Sequence, residues 1–191
     1  APGEATAMDR TVRLITLALT SGPFPQKIAR NAPSLARRPQ ADAGAILGFD
    51  FHLGGPTPQL IEINTNPGGL LVNLELARAA TAACDCFTEP VSVLAAAGVA
   101  IGQLGRRISD SFLAEWTSVR GEAPLRTIAI VDDAPQSQYL YPEFLLYQRL
   151  LERAGWRVVI ADATSLELRD DAVFLAEERI DLIYNRATDF Y

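Results

Sequence analysis

Apolar positions recur at helical spacing near the start of the chain. Val12, Ile15 and Leu19 fall on one face, and Asp9 stands where a helix cap would stand. Residues 21–40 carry Pro23, Pro25, Pro33 and Pro39, which predicts a loop or a broken helix. Two alternating runs follow, 46–53 and 59–64, separated by Gly54-Gly55-Pro56-Thr57-Pro58. Alternation on both sides of a turn-rich loop predicts a β-hairpin. Helical spacing returns over 70–83, through Leu70, Leu71, Leu74 and Ala77. Pro90 then opens a long helical stretch towards Val119, weakened by Gly98, Gly102 and Gly105.

Beyond Pro124 the pattern changes. Short apolar strands are expected at 127–131, 157–161 and 180–184. Between them lie an amphipathic helix over 139–154, closed by Gly155, and a short helix over 171–179. Strand and helix in alternation with short connections imply a parallel βαβαβ unit. The chain is therefore expected to be α/β. Residues 1–123 form helices plus a hairpin, and residues 124–191 a Rossmann-like subdomain.

Composition narrows the class. Of 191 residues, 49% are hydrophobic and 21% charged, which excludes a disordered, collagen-like or disulfide-scaffold chain. The net charge of −6 argues against a nucleic-acid binder. Lys27 is the single lysine, against 16 arginines. Cys84 and Cys86 with one distant histidine, His52, do not make a zinc set. The apolar stretch 91–104 is shorter than the ~20 residues of a membrane span. No secretory signal is visible, so a cytoplasmic location and no membrane partner are expected. The opening Ala1-Pro2-Gly3 and the end at Tyr191, just after a strand, lead us to expect a piece of a longer protein.

The hairpin carries the candidate chemistry. Alternate strand residues share a face, so Glu62 and Asn64 lie on one side and Ile61 and Ile63 on the other. A loop symmetric about Pro56 sets Asp50 opposite Glu62 and Gly48 opposite Asn64, at about 5 Å. Two carboxylates and an amide oxygen are hard ligands that suit Mg²⁺. The plain alternative is a solvated sheet face. His52 shares the polar face nearer the loop, opposite Leu60. Gly68 and Gly69 precede a helix start, where free backbone N–H groups attract anions, although a proline and two glycines also make an ordinary turn.

The run Leu60-Ile-Glu-Ile-Asn-Thr65 with Gly68-Gly69-Leu70 resembles a segment of eukaryotic-type glutathione synthetases. Gly48-Phe-Asp-Phe51 with Glu62 and Asn64 resembles glutathionylspermidine synthetases, in which an Asp, a Glu and an Asn at this spacing bind magnesium. Both families belong to the circularly permuted ATP-grasp superfamily. The resemblance implies an ATP- and Mg²⁺-dependent ligase that joins small-molecule carboxylate and amine substrates through an acyl-phosphate. It assigns Asp50, Glu62 and Asn64 to Mg²⁺, with Glu62 and Asn64 also facing ATP phosphates. It places Gly68, Gly69 and Gln138 near substrate, and Arg186 on a substrate carboxylate as the catalytic position. Gly48 stands where those families carry an Arg. The lysines and glycine-rich lid that grip the nucleotide are expected beyond Tyr191.

Two other classes compete. One is a non-catalytic binding or regulatory domain on a degenerate ATP-grasp scaffold, which Gly48 favours. The other is a response-regulator receiver, suggested by Asp132-Asp133 and by Asp181-Leu-Ile-Tyr184. In the receiver pattern the phosphorylatable position holds Arg186, which cannot accept a phosphate as an aspartate does. The five tyrosines, Tyr139 among them, are expected to be packing residues.

Overall fold

A computed structural model describes residues 2–30, 32–34, 44–83 and 101–188. Cys84, Cys86, Gly98 and the start of the stretch expected from Pro90 lie outside these residues. The chain is mixed α/β, with an antiparallel hairpin sheet and a three-stranded parallel sheet.

Helix α1 spans Pro2–Thr20 and α2 spans Pro23–Ala29. Asp9 lies inside α1 rather than at its cap, where it pairs with Arg13 one turn on at 2.7 Å. Strands β1 (Gly48–His52) and β2 (Gln59–Asn64) form the hairpin. Helices α3 (Leu70–Ala83) and α4 (Ile101–Arg120) follow. Then come β3 (Thr127–Asp132), α5 (Tyr141–Arg153) and β4 (Arg157–Asp162). Gly155 ends α5 at φ +102°, a conformation glycine adopts without strain.

The expected helix over 171–179 is absent. In its place β5 (Leu166–Arg169), β6 (Ala172–Leu175) and β7 (Glu178–Ile180) form an antiparallel meander. Asp170 and Asp171, at φ +48° and +59°, close the first turn as a two-residue hairpin loop. The run Ala172-Val-Phe-Leu175 is rich in residues that fit a pleated surface, and this outweighs a weak helical spacing. The last strand, β8, covers Leu182–Asn185, and Ile180 belongs to the meander.

The parallel sheet has the order β4-β3-β8. All six residues of β3 are buried, as a central strand covered on both faces must be. Ile128 and Ile130 face the helices, packing with Leu71 and Leu74 of α3, Phe112 of α4, and Phe144, Tyr147 and Leu151 of α5. Ala129 and Val131 face the meander and contact Ile180. The result is three layers: helices, parallel sheet, meander. Gly105 lets α4 approach α5, since a Cβ there would stand 3.1 Å from Leu150 Cδ1. Gly102 has open space instead. Tyr139 packs on nothing; it is 95% exposed. No described helix is long and apolar enough to cross a membrane.

Candidate metal and substrate site

The hairpin register sets Asp50 opposite Glu62 and Gly48 opposite Asn64. This is the pairing that a loop symmetric about Pro56 predicts. A bulge after Asp50 then shifts the ladder, so that His52 faces Gln59 rather than Leu60. The bulge leaves Ile61 without a cross-strand partner and 66% exposed, so the apolar face of the hairpin is only partly covered.

Asp50 and Glu62 are exposed and Asn64 is half-buried. Asn64 Nδ2 donates to Asp50 Oδ2 at 3.1 Å, which turns its amide oxygen away from that carboxylate. Among the described residues no Arg, Lys or His forms an ion pair with Asp50 or Glu62. Two acidic side chains thus oppose each other across the strands with no cationic side chain paired to them among the described residues, and like charges so placed disfavour the pairing. Two carboxylates and an amide oxygen fit Mg²⁺ as donors. The described residues hold no group of three or more His, Cys, Asp and Glu side chains placed for a metal, so the hairpin set rests on its amide as third ligand.

The loop from Thr65 to Gly69 is held from two directions. Arg186, at the end of β8, is 4% exposed. Its Nη1 donates to Asn66 Oδ1, to Pro67 O at 2.9 Å and to Tyr184 Oη at 3.2 Å. Glu143, in the first turn of α5, is 1% exposed. Its carboxylate accepts from Gly69 N at 2.7 Å and from Leu71 N at 2.9 Å. These are N–H groups at the start of α3, which no intrahelical carbonyl can satisfy. The anion at this helix start is therefore the chain's own glutamate, and the Gly69 N–H is not free for a ligand. The sequence reading missed Glu143. Its only local signal is an acid in a first helical turn, and its partners lie more than 70 residues away.

Gly68 lies in close approach to two side chains. A Cβ there would stand 2.5 Å from Leu140 Cδ1 and 3.3 Å from Arg186 Nη2. Gly48 is also tight: a Cβ there would stand 3.0 Å from Pro67 Cβ and 3.3 Å from Asn64 Cβ, so a side chain would need these neighbours to shift by a few tenths of an ångström. Beside Arg186, burial pushes the pKa of Tyr184 up, opposed by the guanidinium charge. Burial foremost, then Tyr184 alongside, pushes Tyr147 up further, and its hydroxyl has no hydrogen-bond partner among the described residues. For both phenols burial favours the protonated form.

Gln138 sits at the carboxyl edge of the parallel sheet, half-buried, with Nε2 donating to Asp133 O at 2.5 Å. Asp162 ends β4 beside it and accepts from Ala134 N at 2.8 Å and from Thr164 N and Oγ1 at 2.8 and 2.6 Å. The Thr164 hydroxyl first, then the two backbone N–H groups, holds its carboxyl below the usual range. A lowered folded-state pKa stabilises the fold above the unfolded value, about 3.9, and the benefit vanishes as pH falls through the folded value. Asp162→Asn is therefore expected to lower Tm at pH 7 and to leave it unchanged near pH 2. An equal difference at both pH values contradicts this.

A cleft of about 470 Å³ opens beside the loop, between β8, α4 and residues 44–46. Thr65, Asn66 and Asn185 supply polar groups and Phe112 and Leu182 apolar walls; Glu115 is its one charged side chain. The structure thus brings Asn64, Gly68, Gly69 and Arg186 around one loop, with Gln138 on the neighbouring sheet edge. Comparison of the chain with protein-family models, with curated proteins and with solved structures finds no match.

Proposed function

We propose that the chain is the metal-ligand and substrate-binding part of an ATP- and Mg²⁺-dependent ligase joining a carboxylate to an amine through an acyl-phosphate, in the manner of glutathionylspermidine synthetases. The observation that carries this reading is the register that sets Asp50 against Glu62, with Asn64 bonded to Asp50 and, among the described residues, no cationic side chain paired to either acid. Bound there, Mg²⁺ would supply charge neutralisation for a transferring phosphoryl group. Asp50, Glu62 and Asn64 would orient the ion. The loop 65–69, fixed by Glu143 and Arg186, would hold the strand end at a set distance from the sheet. The adjoining cleft suits an amine, because its one charged side chain is the Glu115 carboxylate, which has no ion pair among the described residues.

In the complete protein, ATP hydrolysis is expected to require Mg²⁺ and to rise when an amine and a carboxylate are supplied together. Unchanged turnover in Glu62→Ala overturns the ligase reading.

One observation favours the second reading, a binding or regulatory domain on the same scaffold. Two groups that would grip a substrate, Nη1 of Arg186 and the Gly69 N–H, are engaged by the chain itself. A domain of this kind binds the cation yet shows no turnover with any amine and carboxylate pair.

A further inference from the structure

A second cleft, of about 430 Å³, lies at the opposite end of the parallel sheet. It is bounded by the end of α4, the start of β3 and β7. Its volume is within the range of small-molecule sites. From Thr127 at its rim to Asp132 at the candidate substrate edge, β3 rises about 3.3 Å per residue, so the two ends stand roughly 17 Å apart.

Three arginines line this cleft: Arg120 at the end of α4, Arg126 just before β3 and Arg179 of β7. Arg126 makes no side-chain hydrogen bond or ion pair among the described residues. Arg120 lies over the Trp116 ring at 5.6 Å, and the indole is itself anchored by Nε1 donating to Ala123 O at 2.6 Å. Arg179 approaches Asp181 only at 3.9 Å. The two acids of the lining are already engaged. Asp181 Oδ2 accepts from the backbone N–H groups of Arg126 and Thr127 at 2.9 and 3.1 Å. Glu178 pairs with Arg157 from β4. Three guanidiniums therefore line one cleft, and among the described residues only that of Arg179 has an ion pair, the long one to Asp181, on a chain whose net charge is −6.

Guanidinium forks match phosphate and carboxylate oxygens two at a time. Several of them around one cavity discriminate by the number of anionic groups a ligand can present. We infer that this cleft binds a small anion carrying at least two phosphate groups, separate from the candidate ligase site. The aromatic floor at Trp116 adds a surface on which a ring of such a ligand can lie, with Arg120 beside it.

The test is calorimetric titration of the chain with inorganic pyrophosphate, and in parallel with orthophosphate at the same ionic strength. One pyrophosphate is expected per chain, bound about tenfold or more tighter than orthophosphate, since each added charge-assisted pair contributes roughly that factor. Arg126→Ala with Arg179→Ala is expected to weaken it by about tenfold or more on the same grounds. Both side chains are exposed, so the fold should tolerate the change, and unaltered thermal unfolding checks that it does. Arg106→Ala, which lines a different cleft beside Arg153 and Trp156, is the control and should leave the affinity unchanged. No saturable binding overturns the inference. So does equal affinity in the double variant, or an equal loss in the control.

Discussion

Glu143→Ala is expected to lower the unfolding free energy by about 3–5 kcal/mol. The carboxylate is 1% exposed and both its oxygens accept backbone N–H groups at the start of α3. Each charge-assisted bond of this kind contributes about 1.5–3 kcal/mol, and its removal leaves the Gly69 and Leu71 donors without acceptors. Small domains are stable by only about 5–15 kcal/mol, so the loss is a large share of the total. Glu143→Gln keeps the shape and one good acceptor but turns an N–H₂ towards a backbone N–H, and should fall between wild type and alanine. Urea unfolding followed by tryptophan fluorescence reports both changes, because Trp116 lies in the same core. A loss below about 1 kcal/mol for the alanine variant, the value of a single ordinary hydrogen bond, contradicts the role assigned to Glu143.

Arg186→Ala is expected to cost about 3 kcal/mol, although the sequence placed this residue at a substrate. Nη1 holds the Asn66 side chain and the Pro67 carbonyl, and the guanidinium lies 5.3 Å from the Tyr184 ring centre. Truncation leaves those acceptors unpaired and opens a cavity in a site that is 4% exposed. Arg186→Lys should recover less than half of the loss, because an ammonium is a compact point charge and cannot replace the planar guanidinium beside the Tyr184 ring. Glu143 and Arg186 hold one loop, so the double variant is expected to lose less than the two single losses added together. An Arg186 that served only a substrate would leave unfolding within about 0.5 kcal/mol of wild type, as surface substitutions do.

The local features of this molecule were legible in the chain. Alternation on either side of a glycine- and proline-rich loop placed β1 and β2, and the near-symmetry of that loop placed Asp50 against Glu62. The bulge was not legible, because an extra residue in one strand leaves alternation intact on both sides of it. His52 therefore faces Gln59, one residue away from the expected partner. The meander was missed for a different reason. Asp170 and Asp171 take left-handed backbone without a glycine to announce the turn. The alternation of Leu166, Leu168, Val173 and Leu175 was the available signal. Arg186 was singled out only by the family resemblance, and what it touches depends on a loop 120 residues earlier. Glu143 was missed because nothing in its helix shows that its partners are on α3.

These two grips explain why a hairpin with an exposed Ile61 is still set at a defined place. Glu143 and Arg186 fasten the loop that directly continues β2, so the strand bearing Glu62 and Asn64 is tied to the sheet and helices behind it. Any cation held by that strand inherits the same fixed relation to Gln138 and to the neighbouring cleft.

The most direct measurement is a Mn²⁺ titration of the chain followed by electron paramagnetic resonance, with Mg²⁺ as competitor. One ion is expected per chain, displaced by Mg²⁺, with Asp50→Asn and Glu62→Gln each weakening it by about tenfold or more. The three proteins should unfold alike, since both carboxylates are exposed. Identical titration curves in wild type and both variants, or no saturable binding, contradict a metal site on the hairpin.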